Sequence, residues 1–243
     1  MYKEYFNRLH EILEQIEKNC SESIEKSAEL FASAIRNNKK IFLFGTGHSH
    51  LLAEELFYRA GGLLNIQPIL VDELMLHISA SESTRAERKE GLAERIYADY
   101  GITQGDVIVI ISNSGRNGVI VDMALLCREQ GVRVIALTSL AHSQAGESRH
   151  ICGKRLFEIA EVVLDNCGCV GDACVEIEGI EGKICATSTV TGAAMLNAIV
   201  AEAVSLCAEK NIYPDHFCSA NVDGGDEIND RLIEKYKKEI KHL

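Results

Sequence analysis

The sequence predicts an α/β protein, a three-layer αβα sandwich with a parallel sheet covered by helices on both faces. Three observations carry this. Short runs of Val, Ile, Leu and Phe, such as Val107 to Ile111, read as strands buried on both sides, because they lack the alternation of a half-exposed strand. Between these runs, apolar residues recur at helical spacing. The junctions from strand to helix are turns of Gly, Ser and Thr, so strand, turn and helix recur as a unit.

In chain order, Tyr5, Phe6, Leu9, Ile12, Leu13 and Ile16 form one helical stripe. Ser21 or Ser23 is read as the N-cap of a second helix with Ile24, Ala28, Phe31, Ala32 and Ile35, and Asn37 to Lys40 ends it. Ile41 to Phe44 is the first buried strand. A Gly-rich turn, Gly45-Thr-Gly-His-Ser-His50, leads into a helix with Leu52, Ala53, Leu56, Phe57 and Ala60, stopped by Gly61 and Gly62. Pro68 to Val71 reads as a second strand, and a polar segment from Ser79 to Gly91 follows, with helical character emerging at Leu92, Ala93, Ile96 and Tyr97. The strand Val107–Ile111 meets Ser112-Asn-Ser-Gly-Arg-Asn117 and then a helical stripe of Val119, Ile120, Met123, Ala124 and Cys127, closed by Gly131. Val132 to Leu137 and Val162 to Asp165 are further strands, and Val175 to Glu178 with Lys183 to Cys185 fits a hairpin. Thr187-Ser-Thr189 starts a helix to about Lys210 that is apolar nearly all round. A charged helix, Asn229 to Lys241, closes the chain after a structured turn over Ser219 to Glu227.

A chain of 243 residues with two Pro and no low-complexity run fits a single domain over 1–243, with a core at about 38–210, a helical pair over 1–37 and an extension over 211–243. No run reaches the ~20 uninterrupted apolar residues of a membrane span, and the charged start is unlike a signal peptide. A cytoplasmic protein without membrane contact is expected. The net charge of −11 argues against a nucleic-acid surface and makes any phosphorylated ligand depend on local donors. The nine Cys are read as reduced thiols. Cys152, Cys167, Cys169 and Cys174, with His150, suggest zinc, but the Cys-x-Cys spacing lacks a matching second pair, so no metal is expected.

A strand, a polar turn and a helix start aim backbone N–H groups at one point, which suits an anion. Turns 45–50, 112–117 and 138–139 stand at such positions, and the Ser/Thr-rich helix start at 187–189 adds a fourth. Four hydroxyl-rich turns at carboxyl ends of strands point to a phosphate pocket.

Ser112-Asn-Ser-Gly-Arg-Asn117 resembles the Ser-x-Ser-Gly-x-Thr signature of sugar isomerase (SIS) domains. Gly45-Thr-Gly-His-Ser49 is similar to their first loop, and Ala136-Leu-Thr-Ser139 to their following strand and loop. The likeness covers roughly residues 20–210 and is nearest to phosphoheptose-isomerase-like proteins. It implies a five-stranded parallel sheet, a homodimer or homotetramer, and a phosphorylated sugar as ligand. The resemblance assigns Ser49, Ser112, Ser114, Asn117 and Thr138 to the sugar phosphate or its hydroxyls, and the reading of the turns adds Gly47, Asn113, Ser139 and Ser188. Two departures stand out: Asn117 replaces the usual Thr, and the position ten residues after Ser49, where phosphoheptose isomerases and a related etherase carry a catalytic Glu, is Arg59.

Aldose–ketose isomerisation needs an acid to open the ring and a base to move a proton between adjacent carbons. The candidates are His77, where related isomerases place a catalytic His, His48 on the first loop, Glu90 in the acidic stretch with Glu82 and Glu87, and His216, placed to reach a neighbouring subunit. Neither step demands a cofactor. The expected activity is sugar phosphate isomerisation. The alternatives are an etherase or lyase, or a sugar phosphate sensor without catalysis.

Overall fold

The computed structural model describes residues 1–89 and 91–243. Five strands, β1 (Ile41–Gly45), β2 (Ile66–Ile69), β3 (Val107–Ile111), β4 (Arg133–Thr138) and β5 (Val162–Asp165), form one parallel sheet in the order β2-β1-β3-β4-β5. The predicted α/β class is therefore found. Alternate residues of each strand enter different cores. Leu43, Val109 and Ile135 face α1 (Tyr2–Asn19), α2 (Ser21–Arg36), α3 (His50–Glu55) and α8 (Ser188–Ala208). Phe42, Ile108 and Val134 face α4 (Leu76–Ala86), α5 (Ala93–Tyr100) and α6 (Gly118–Glu129). Burial on both faces explains the unbroken apolar runs.

The remaining elements are a short α7 (Leu140–Gln144), an antiparallel hairpin of β6 (Ala173–Glu176) and β7 (Lys183–Ala186), and α9 (Gly225–Tyr236). Four boundaries differ from the sequence reading. Cys20, not Ser21 or Ser23, is the N-cap of α2, and the Ser23 hydroxyl donates to the Cys20 carbonyl. Helix α3 ends at Glu55, because Tyr58 turns left-handed at φ 43° and stacks edge-on against Phe217 at 5.0 Å. Strand β2 starts at Ile66, before Pro68, and stops as Asp72–Leu74 forms a 3-10 turn. Helix α9 begins and ends about one turn earlier than expected.

Pro68 tolerates its strand because β2 is an edge and needs no outward N–H there. That edge is also covered. The Tyr100 hydroxyl donates to the Leu70 carbonyl at 2.7 Å and accepts from its N–H at 2.8 Å. The Glu239 carbonyl accepts from Lys40 and from the Gln67 amide, both at 3.0 Å. Leu64, Phe217 and Ile240 form a small core beneath this segment.

Helix α8 has the length and apolar composition of a membrane span, beyond what the sequence reading allowed. Met195, Leu196, Ile199, Ala203 and Cys207 are buried in the core, whereas Val190 stays 44% exposed. One face thus packs as a core helix.

At the amino ends of the strands, Asp106 is buried and accepts from Thr103 N–H (2.8 Å), the Thr103 hydroxyl (2.9 Å) and Lys40 N–H (3.0 Å). Asp106→Ala leaves these donors orphaned and is expected to cost about 2–4 kcal/mol, read from the urea midpoint at unchanged slope. A change below about 0.5 kcal/mol would show that the clasp is not needed.

Candidate functional site

The hydroxyl-rich turns gather at the carboxyl ends of β1, β3 and β4, as a parallel sheet requires. A cavity of about 190 Å³ opens there, lined by His48, Ser49, Asn113, Asn166, Asp172, Ser188 and Thr189 over a floor of Leu52, Ile111 and Leu137. Gly45 lets the first turn fold back on the strand: a Cβ at this position would stand 2.6 Å from the Ser49 carbonyl. Gly47, in the 3-10 turn Gly47–Ser49, lends its carbonyl to His50 Nδ1 in a short contact.

The second turn is self-braced. The Ser112 hydroxyl accepts from Gly115 N–H at 3.1 Å, and Gly115 is left-handed at φ 57°. Ser143 donates to the Ser114 carbonyl at 2.8 Å. The Ser114 hydroxyl has no partner among the described residues, and Asn113 Oδ1 accepts from Asn166 at 2.7 Å. Ser49, Asn113 and Ser114 therefore keep polar atoms for a ligand.

Other predicted donors are already engaged. Thr138 is fully buried and donates to the Asn113 carbonyl at 3.1 Å. Ser139, also fully buried, caps α7 by accepting from His142 N–H at 3.1 Å and donates to the Gly168 carbonyl at 2.6 Å. Both hold backbone in place and present no free hydroxyl. At the start of α8, the seat read as anion-friendly is filled by the chain itself. Asp172 accepts from Thr187 N–H (3.0 Å), Ser188 N–H (2.9 Å) and the Ser188 hydroxyl (2.6 Å). A carboxylate at a helix N-terminus is favourable for the same reason a phosphate would be.

Glu87 joins the two main turns. Its carboxylate accepts from the Thr46 hydroxyl at 2.8 Å and from the Asn117 amide at 3.0 Å. Its carbonyl accepts from Val119 N–H at 3.3 Å, and a Cβ on Gly118 would meet the Lys89 carbonyl at 2.8 Å, so this segment lies across the first turn of α6. Asn117 also accepts from Arg149 at 3.1 Å. Desolvation first, then the like charges of Arg116 and Arg88, press the Arg149 guanidinium below its usual range, while Glu87 opposes them.

The histidines divide. His48 is exposed at the cavity rim. His77 is exposed on α4, its ring 6.3 Å from that of His50, so it stands beside the first turn. His216 bridges Leu63, just before β2, at the amino ends of the strands, and does not join this crevice within its own chain. Glu90 lies outside the described residues. Glu82 pairs with Arg85, and Arg59 pairs with Glu55, so the position ten after Ser49 sends no base inward. Among the described residues no group of three or more His, Cys, Asp or Glu could hold a metal ion. Cys20 and Cys167 instead direct their Sγ atoms at the Asp165 carbonyl, at 3.3 and 3.7 Å.

Sequence reasoning missed Asp172 and Asn166. Neither belongs to a motif, and their roles arise only because the chain after β5 folds back over the sheet. Glu87 was visible only as one acid of several.

A parallel sheet with Ser-rich turns gathered at its carboxyl edge defines an α/β domain built to hold a small polar ligand. A family model for the SIS domain matches residues 4–139. A UPF0309 protein of Geobacillus sp. strain WCH70 is 44% identical over 240 residues, covering 99% of this chain and 97% of its own. The chain belongs to the SIS domain family. Its fold is similar to that of phosphoheptose isomerase from Neisseria gonorrhoeae, with a TM-score of 0.53 at 18% identity, over 82% of this chain and 95% of that one. It is equally similar to the sugar isomerase domain of an RpiR transcription factor from Sphaerobacter thermophilus, with a TM-score of 0.53 at 16% identity, over 98% of each chain.

Asp172→Ala removes the acceptor at the start of α8 and is expected to lower stability by about 1–2 kcal/mol in chemical denaturation, with Asp172→Asn losing less. Equal stability of all three proteins would show that Asp172 does not cap the helix.

Proposed function

We propose that this protein binds a phosphorylated sugar in the crevice between turns 45–50 and 112–117 and interconverts its aldose and ketose forms. The observation that carries this reading is the Glu87 carboxylate held between Thr46 and Asn117, on the two turns that bracket the crevice. The uncommitted Ser114 hydroxyl, with Ser49 and Asn113 at the cavity wall, supplies neutral donors for the phosphate. The family and the fold it shares with phosphoheptose isomerase support the same reading.

In this mechanism Glu87 takes the place that Arg59 leaves vacant. Its carboxylate removes the proton from the carbon beside the carbonyl of the open-chain sugar. The electron pair moves onto the carbonyl oxygen and leaves an enediolate. The proton exchanges with solvent while it rests on the Glu87 carboxyl, and a proton from that carboxyl then goes to the neighbouring carbon, which completes the shift. His77 or His48, beside the first turn, opens the ring and passes a proton between the two oxygens. Thr46 and Asn117 orient the base, and Arg149 fixes Asn117.

A second reading, a sensor that binds the sugar phosphate without turnover, is favoured by the likeness to the RpiR sugar isomerase domain over nearly the whole of both chains. The two separate on one experiment. The protein is incubated in deuterium oxide with a panel of aldose and ketose phosphates and followed by NMR. Deuterium is expected at the carbon beside the carbonyl, lost in Glu87→Gln with ligand binding retained, and reduced in His77→Ala. Tight binding with neither exchange nor product would overturn the isomerase and leave the sensor. Ser114→Ala is expected to weaken phosphorylated ligands by about 1–3 kcal/mol in calorimetry and to leave neutral sugars unchanged. Equal loss for both would contradict its place in the phosphate seat.

A further inference from the structure

Arginines elsewhere in this acidic chain are mostly neutralised. Arg8, Arg59, Arg85, Arg95, Arg128, Arg133 and Arg155 each pair with a carboxylate. Arg88, Arg116 and Arg149 have no carboxylate partner among the described residues, and they stand together. Arg149 N–H donates to the Arg116 carbonyl at 2.9 Å, and its guanidinium holds Asn117. The Arg88 carbonyl lies 3.0 Å from where a Gly118 side chain would begin. All three residues therefore ring the start of α6. Arg116 reaches the other way: its Nη1 abuts the place where a Gly146 side chain would begin, at the wall of a hollow of about 550 Å³.

We infer that Arg88, Arg116 and Arg149 form a second anion subsite beside the sugar phosphate seat, so that the ligand carries two anionic groups: a phosphate, and a carboxylate or second phosphate at its other end. Arg88 and Arg149 are exposed and Arg116 is half-buried, and the like charges of Arg116 and Arg88 act on Arg149, so the three disfavour one another until an anion joins them. Among the described residues none of the three is paired with a carboxylate: the two oxygens of Glu87 are taken by Thr46 and Asn117, and Glu147 stands at the wall of the hollow that Arg116 reaches. An incoming anion relieves the repulsion, and guanidinium forks suit planar carboxylate and phosphate oxygens. The neutral donors of Ser49, Asn113 and Ser114 are left for the first phosphate. This inference rests on the phosphosugar reading above and adds a charge requirement to it.

The test compares matched ligands by calorimetry on the whole protein: glucose 6-phosphate against 6-phosphogluconate, and fructose 6-phosphate against fructose 1,6-bisphosphate. The doubly anionic member of at least one pair is expected to bind about tenfold tighter or more, with a steeper loss in added salt. Arg88→Gln with Arg116→Gln is expected to shrink that preference below about threefold while the monophosphate keeps its affinity within about twofold. Arg88→Gln alone, whose side chain makes no hydrogen bond among the described residues, serves if the double variant does not fold. Equal affinity within both pairs, or a preference untouched by the variants, would overturn the second subsite and leave the phosphosugar reading standing. No binding of any of the four ligands would overturn both.

Discussion

The bridge from Glu87 to Thr46 and Asn117 is the contact on which the crevice depends. The turns after β1 and β3 belong to separate strand–helix units, and nothing in the sheet ladder fixes the distance between their tips. One carboxylate with two oxygens does so. It also brings the segment after α4 across the start of α6, and with it the arginines that stand there. Removing this acid would loosen the spacing of the turns as well as the chemistry.

The anion logic of the site is local. The overall field of an acidic chain disfavours a phosphate, so attraction has to come from groups close to it. Two helix starts that face the crevice are occupied by the chain's own acceptors: Asp172 at α8, and the Glu87 carbonyl with Asn117 at α6. What stays open is a set of neutral hydroxyl and amide donors beside Arg88, Arg116 and Arg149, which have no carboxylate partner among the described residues.

The layers of the fold were legible in the sequence, because a strand buried on both faces has no polar position to spare and so declares itself as an unbroken run. Val107 to Ile111 is the plainest case. Where the reading slipped, a tertiary contact had overruled a local pattern. The apolar spacing through Ala60 suggests a longer α3, but Phe217 draws Tyr58 out of the helix. The site was legible by turn and not by residue. Ser112, Thr138 and Ser139 look alike as hydroxyls, and only packing reveals that all three are spent on backbone. Asp172 lies fifteen residues before the helix start it serves, a separation with no local signature. His216 is read from the sequence as reaching a neighbouring subunit, and within its own chain the topology sets it at the far end of the strands.

The covered edge of β2 bears on how copies of this chain can meet. A bare edge strand offers a row of N–H and C=O groups to any extended segment, and so invites fibrillar growth or strand exchange. Here Pro68 has no N–H to offer, Leu70 has surrendered both its groups to Tyr100, and the chain's own C-terminal segment lies alongside. Stitching two sheets into one is hindered on that side by the missing Pro68 N–H and by the Glu239 segment bonded to the Gln67 side chain. Copies that associate there do so more readily through side chains on helices, whose contacts are finite and self-limiting, and the last residues of the chain act as a guard against open-ended polymerisation.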